Sequence, residues 1–335
     1  MDSIVKRFKK RLKTEINYLF FREYRYKRVV RRHFSKYYDD NHPQATNSRK
    51  MVVYMADGKY RHGGLADRLR GIVTLYRYCI EHNLDFRIHF TSPFILEEYL
   101  QPNEYDWRLR RGELSFNAST SHACYMDTTG DVGEREMRFQ RKITDKFLSQ
   151  PYAQLHVYSI FYYEEKRFGE LFNMLFKPAP VVQAEIDRNL KEIGGEYITV
   201  STRFLELLGD FKEPKGVRKE LPKAEQEALI QSCIGKIERL KDSFPEISKI
   251  VVTSDSLRFL ERVKALEYCY VIPGEIAHID TKDGNKTAHL KTFVDFFVIA
   301  KAKASFLIVE GGMYHSNFSK RAAQVNNHPF TEITG

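Results

Sequence analysis

Between residues 197 and 325 the chain changes periodicity again and again, and this alternation limits the fold more than any other feature. Tyr197–Thr202, Lys249–Thr253, Tyr268–Ile272 and Ser305–Val309 are short apolar runs that predict strands. Lys223–Phe244, Leu257–Leu266, Thr287–Ala302 and Tyr314–Val325 predict the helices between and after them. Strands that are apolar on both faces need cover on both sides, and intervening helices give that cover only around a parallel sheet. Ligands of such sheets bind beyond the carboxyl ends of the strands, so the residues following each strand are the ones to inspect for chemistry.

The same pattern occurs once more upstream. Met51–Ala56 predicts a strand, a loop with Gly58, Gly63 and Gly64 follows, and Leu65–His82 predicts a helix with Leu65, Leu69, Ile72, Leu75 and Cys79 on one face. Leu84–Phe90 predicts the next strand. Residues 101–150 are charged, hold Trp107, the single tryptophan, and end in a helical pattern from Glu134. Leu155–Ser159 predicts a strand and Glu164–Phe176 a helix, and the Lys177-Pro-Ala-Pro180 run breaks the chain. A chain of 335 residues is long for one domain. Division at the break gives a domain over 51–178 and another over 179–335, with residues 1–50 as a basic helix and linker.

Charge is concentrated at one end. Residues 1–36 hold thirteen Lys or Arg against three Asp or Glu, a net of +10, which equals the charge of the whole chain. The remainder is neutral. Ile4, Phe8, Leu12, Ile16 and Phe20 recur at helical spacing among these cations, so residues 3–34 predict a helix that lies on an anionic membrane surface. A helix docked on its own domain is the competing expectation. Nucleic acid is not expected, because the neutral body offers no second basic surface. Residues 39–50 have the polar, proline-containing composition of a linker.

Cys79, Cys124, Cys233 and Cys269 form no Cys-x-x-Cys pair, so buried free thiols in a reducing compartment are expected, and no zinc site. The N-terminus lacks an uninterrupted apolar core and a small-residue cleavage site, and no apolar run reaches the length of a spanning helix. A cytoplasmic body, peripheral on the inner face of the membrane, is the expectation.

Four segments follow predicted strands. Arg61-His-Gly-Gly-Leu-Ala-Asp-Arg68 opens a helix with two glycines, which suits close approach of an anion or only a tight turn. Arg203 follows Val200-Ser-Thr. A guanidinium there needs an anionic partner, either a phosphate or a carboxylate such as Asp210. Ser254-Asp255-Ser256 can cap the next helix or bond a ribose or base. Val309-Glu-Gly311-Gly312, followed by Ser316 and Ser319, places glycines and hydroxyls where a phosphate cradle forms.

These segments resemble the fucosyltransferase group of GT-B glycosyltransferases, which includes bacterial α-1,2-fucosyltransferases and nodulation fucosyltransferases. Asp295-Phe-Phe-Val-Ile299 is similar to that family's D-F-x-L-M. His315-Ser-Asn-Phe-Ser-Lys-Arg-Ala-Ala323 is similar to its N-S-x-F-S-W-W-x-A, with Ser316, Phe318, Ser319 and Ala323 in place. Ser201-Thr-Arg203 with Gly209-Asp210 resembles its H-x-R-R-G-D loop, Ser254-Asp-Ser256 its strand-ending S-D-S, and Gly63-Gly-Leu-Ala-Asp67 its glycine loop. The family's His is Ser201 here, its tandem Arg is Phe204, and its Trp pair is Lys320-Arg321.

The resemblance implies two Rossmann-like domains facing a cleft, and transfer of a sugar from a nucleotide sugar, GDP-fucose, to a glycan or lipid-linked glycan in cell-surface polysaccharide synthesis. It implies donor contacts at Gly63, Gly64, Arg203, Ser254, Asp255, Ser256, Asp295, Gly311, Gly312, Ser316, Phe318 and Ser319, with Arg203 stabilising the leaving diphosphate. No Asp-x-Asp segment is present to hold a metal, so no metal and no other cofactor is expected. Asp67, Asp57 and His62 are the candidates for the base.

Overall fold

The computed structural model describes residues 20, 23–60, 62–126, 142, 144–146, 148–160, 166–211, 218–276 and 285–335. Most of the expected membrane helix, Arg61 and the start of the helix expected from Glu134 lie outside these residues. In chain order the strands are β1 Met51–Ala56, β2 Asp85–Phe90, β3 Leu100–Pro102, β4 Ser121–Met126, β5 Gln154–Ser159, β6 Phe176–Pro178, β7 Tyr197–Thr202, β8 Lys249–Thr253, β9 Cys269–Tyr270, β10 Ala304–Val309 and β11 Phe330–Thr334. The longer helices are α1 Leu65–Glu81, α2 Phe168–Leu175, α3 Pro180–Ile193, α4 Lys223–Ser243, α5 Leu257–Lys264, α6 Lys286–Ala300 and α7 Phe318–Val325.

The chain forms two compact units. One spans residues 1–63, 67–92 and 105–165, and the other 64–66, 93–104 and 166–335. The expected junction at 178/179 falls inside the second unit. The reason is a short antiparallel pairing of β3 with β6, which ties residues 93–104 to the chain ahead of α3.

The first unit is built on a parallel four-stranded sheet in the order β2-β1-β5-β4. Every residue of β1 and of β5 is buried, as apolar strands covered on both faces must be. α1 packs so closely that a Cβ on Gly71 would stand 2.3 Å from the Ser159 carbonyl oxygen. The basic N-terminal segment belongs to this unit from residue 23 onward. It is helical over 23–29, makes a π turn over Val30–Phe34 and ends in a 3₁₀ turn over Ser35–Tyr37. Its aromatic face is docked: Phe34 stacks on Tyr158 at 4.0 Å, and Tyr26 meets Tyr125 edge-on at 5.7 Å. The Tyr38 hydroxyl lies 2.7 Å from His156 Nδ1. The presumed linker is anchored too, because Asn47 Nδ2 donates to the Ala153 carbonyl at 2.9 Å. The opposite face exposes Arg25, Lys27, Arg28, Arg31, Arg32 and Lys36, with Phe20 73% and Tyr24 58% exposed.

The second unit holds a parallel five-stranded sheet, β11-β10-β7-β8-β9. Its core runs from Ile198 and Val200 through Ile230, Cys233 and Ile237 of α4 to Phe259 of α5. α3 was not foreseen: Pro180 reads as a breaker, yet it sits in the first turn, where a missing N–H costs nothing. α7 is shorter than expected and starts at Phe318. The four cysteines are buried free thiols. Among the described residues no helix is long and apolar enough to cross a membrane.

Candidate functional site

The order of the five-stranded sheet locates the site. From β7 the chain moves to β8 and β9 on one side, then returns to β10 and β11 on the other. The crossovers therefore diverge between β7 and β10, and the space beyond their carboxyl ends is where an open α/β sheet binds its ligand. Residues 203–210 follow β7 and residues 310–317 follow β10. The two loops are joined where the Tyr314 amide donates to the Arg203 carbonyl, at the start of the first loop, at 2.9 Å.

Arg203 stands at this point, 24% exposed, with Nε 3.4 Å from Asp255 Oδ2 and its guanidinium 4.6 Å from the centre of the Phe211 ring. Its carboxylate partner is thus Asp255 and not Asp210. The Asp255 carboxylate, 1% exposed, also accepts from the Phe204 and Leu205 amides, each at 2.8 Å. Burial pushes this carboxyl up from the usual range, while Arg203 and the two amides pull it back. These bonds hold Leu205 at φ +55°, a left-handed conformation that few side chains adopt.

The other two residues of that segment are also structural. Ser256 caps α5, its Oγ accepting from the Phe259 amide at 3.1 Å and donating to Asp210 Oδ2 at 2.8 Å. Asp210 Oδ2 accepts the Arg258 amide as well. Ser254 Oγ accepts from Thr202 Oγ1 at 2.8 Å and from the Ser256 amide at 3.1 Å.

At the end of β10, Gly311 is exposed with φ +53°, and Gly312 beside it is also exposed. A Cβ on Gly312 would come within 3.6 Å of Arg218 Nη1. Ser316 Oγ accepts the Phe318 amide at 3.3 Å and so helps start α7. Phe318 packs edge-on against Phe296 at 5.6 Å, and Ser319 is fully buried, with no hydrogen-bond partner for its Oγ among the described residues. Asp295, on α6, lies in a buried ion pair with Lys291 at 2.7 and 2.8 Å. Burial raises its carboxyl and Lys291 opposes the rise.

In the first unit the three candidate bases separate clearly. Asp57, at the end of β1 and 5% exposed, is ion-paired with Lys59 and accepts from the Tyr158 hydroxyl at 3.0 Å. His62 is 2% exposed, and burial, with Arg68 nearby, lowers its pKa to about 3. A neutral imidazole with so low a pKa is a poor proton acceptor. Asp67, in the first turn of α1, is 39% exposed and paired with Arg70 at 3.1 Å. Gly63 has φ +72°, and a Cβ there would stand 2.9 Å from Asp67 Oδ2, so the loop needs glycine at that position. Gly64 borders open space.

Three residues that sequence reasoning passed over belong to the site. Phe211 and Tyr314 face the two arginines, Tyr314 with its ring centre 6.0 Å from the Arg218 guanidinium. Arg218 lies in a charged run, FKEPKGVRKE, that reads as solvated loop. Among the described residues no group of three His, Cys, Asp or Glu side chains is placed to hold a metal.

No family profile and no curated protein matches the chain. Solved structures do. Fucosyltransferase NodZ from Bradyrhizobium is 14% identical, with a TM-score of 0.54 over 82% of this chain and 92% of its own. NodZ alpha-1,6-fucosyltransferase co-crystallised with GDP reaches a TM-score of 0.55 at 14% identity, over 83% of this chain and 92% of its own. A point mutant of Arabidopsis thaliana FUT1 in complex with GDP is 13% identical, with a TM-score of 0.54 over 94% of this chain and 79% of its own. The fold is that of the GT-B fucosyltransferases.

Proposed function

We propose that this protein is a glycosyltransferase that moves a sugar from a nucleoside-diphosphate donor, GDP-fucose by the likeness of fold, to a glycan acceptor. The observation that carries the reading is Arg203. It stands at the switch point of the donor-side sheet, positioned by Asp255 and Phe211, in a fold whose solved relatives were crystallised with GDP. As the glycosidic bond breaks, its electron pair leaves with the diphosphate. A guanidinium already fixed in place stabilises that growing charge more than it stabilises the bound donor. The acceptor hydroxyl forms the new bond and gives its proton to a base. Asp67 is the proposed base, because Asp57 is buried in an ion pair and His62 is a weak base.

Charge neutralisation by arginine supports a reaction without a divalent metal. The exposed cations of residues 25–36 support attachment to an anionic membrane, and the buried free thiols fit a reducing cytoplasmic setting. A glycan or lipid-linked glycan of a cell-surface polysaccharide would then be the acceptor. A different nucleotide sugar is the second reading. It is favoured by Phe204, which is buried against Phe259 at 5.1 Å where the resembling family has an arginine. Incubation with a panel of nucleotide sugars, with chelator present, tests both readings. Release of GDP from GDP-fucose is expected. Turnover of another donor alone would replace the donor, turnover only with added magnesium or manganese would end the metal-free reading, and release from none would leave a non-catalytic nucleotide-binding protein.

A further inference from the structure

Charge accounting at the switch point separates the two arginines. Arg203 is offset by a buried carboxylate at 3.4 Å, so the pair brings no net charge to a ligand. Glu310, which follows β10, is answered by Lys236 at 3.0 Å and by Ser232 Oγ at 2.7 and 2.6 Å. Asp210 accepts from the start of α5. Arg218 differs: among the described residues no carboxylate lies within ion-pair distance of it, and its recorded neighbours are the Tyr314 ring and the edge of Gly312. It is half-buried. The backbone around it is fixed, since the Leu221 amide donates to the Leu207 carbonyl at 3.0 Å.

A half-buried guanidinium with no counter-ion is unfavourable unless a ligand supplies one. A diphosphate brings two or more negative charges, and a neutral Arg–Asp pair cannot balance them. We infer that Arg218 is a donor-binding residue that supplies the uncompensated positive charge for the diphosphate, with Gly312 giving the phosphate oxygens access to it. The inference rests on the nucleoside-diphosphate reading above. It divides the work: Arg203 is positioned to act on charge that grows during the reaction, and Arg218 fixes how tightly the anionic donor and product are held.

Calorimetric titration of GDP and of guanosine into wild type, Arg218→Gln and Arg218→Lys, at low and high salt, tests this. Removing a charge-assisted contact is expected to weaken GDP roughly tenfold to hundredfold. Guanosine affinity should stay unchanged, and the salt dependence of GDP binding should flatten because less charge is screened. Arg218→Lys should recover part of the affinity, since it keeps the charge without the planar fork. Arg218→Gln that binds GDP as wild type does, with the same salt dependence, would overturn the assignment. Parallel loss of guanosine and GDP would also overturn it, because the residue would then be shaping the loop. Wild type that binds no GDP would overturn the donor reading itself, an outcome distinct from an unaffected variant.

Discussion

Replacing Arg203 by alanine acts on turnover and on stability, and the structure separates the two. Loss of one preorganised donor to developing charge costs about 2.7–4 kcal/mol, so turnover should fall roughly a hundredfold or more. The loss should appear in kcat, with the acceptor KM changed less. Arg203→Lys should rescue little, because an ammonium reproduces neither the planar fork nor the stacking on Phe211. The stability term comes from Asp255, which keeps its two amide donors and loses its counter-ion. Breaking a fully buried pair costs about 3–5 kcal/mol. Here one Nε contacts the carboxylate at 3.4 Å and the arginine is 24% exposed, so screening reduces the figure to about 1–2 kcal/mol.

The sign of the pH dependence follows from the carboxyl. Its folded pKa is already raised by burial, and loss of Arg203 raises it further. A group raised on folding leaves stability intact below its unfolded pKa and removes it as pH rises through the folded value. The variant's deficit relative to wild type should therefore shrink as pH falls through the raised folded range and vanish once the carboxyl is protonated in both proteins. Thermal melts across pH, with and without GDP, beside a GDP-release assay, provide the readouts. A stable Arg203→Ala protein with near-normal turnover and GDP affinity would place the donor site elsewhere.

Three further outcomes are expected. Ser256→Ala removes the cap of α5 and the anchor of Asp210, and should cost about 1 kcal/mol in denaturant unfolding while leaving the fold intact; an unchanged midpoint would refute the capping role. Gly169→Ala forces a Cβ to within 2.0 Å of the Gln324 carbonyl, so α2 and α7 must part, at a cost of at least about 1–3 kcal/mol; wild-type melting would show that the helices are less closely packed. Glutamine at Arg25, Lys27, Arg28, Arg31 and Arg32 should abolish salt-sensitive sedimentation with phosphatidylserine vesicles and leave melting unchanged; undiminished binding would remove that face from the membrane contact.

The architecture was legible where burial is complete and hidden where it is partial. β7, β8 and β10 are apolar on both faces, so their runs predict strands within a residue of the observed ends. β11 was missed because it is an edge strand with Glu332 and both threonines exposed or partly so, which leaves no continuous apolar run. β4 was missed for its mixed sequence, Ser121-His-Ala-Cys-Tyr-Met126, which reads as a strand only once β5 covers it. The N-terminal helix shows how one pattern serves two surfaces. In the described part of the segment Tyr26 and Phe34 dock on Tyr125 and Tyr158, while Phe20, Tyr24 and the cations remain outward. In the site, the place of Arg203 follows from the end of its strand, but its partner does not. Asp210 is near in sequence, whereas Asp255 is brought in by the parallel pairing of β7 with β8.

That pairing explains the bonds within the protein made by residues expected to touch a ligand. A left-handed Leu205 costs about 1–3 kcal/mol of backbone strain. Each amide bond to the Asp255 carboxylate is worth about 1.5–3 kcal/mol, so two of them offset the strain and hold the turn. The same carboxylate orients the Arg203 side chain, and Ser254 and Ser256 fix the carboxylate's own segment to β7 and to α5. The polar groups at the end of β8 are thereby committed to protein partners. Under the proposed donor reading, a phosphate would be left to the guanidinium groups and to the exposed glycines after β10, with the turn behind them held rigid by these bonds.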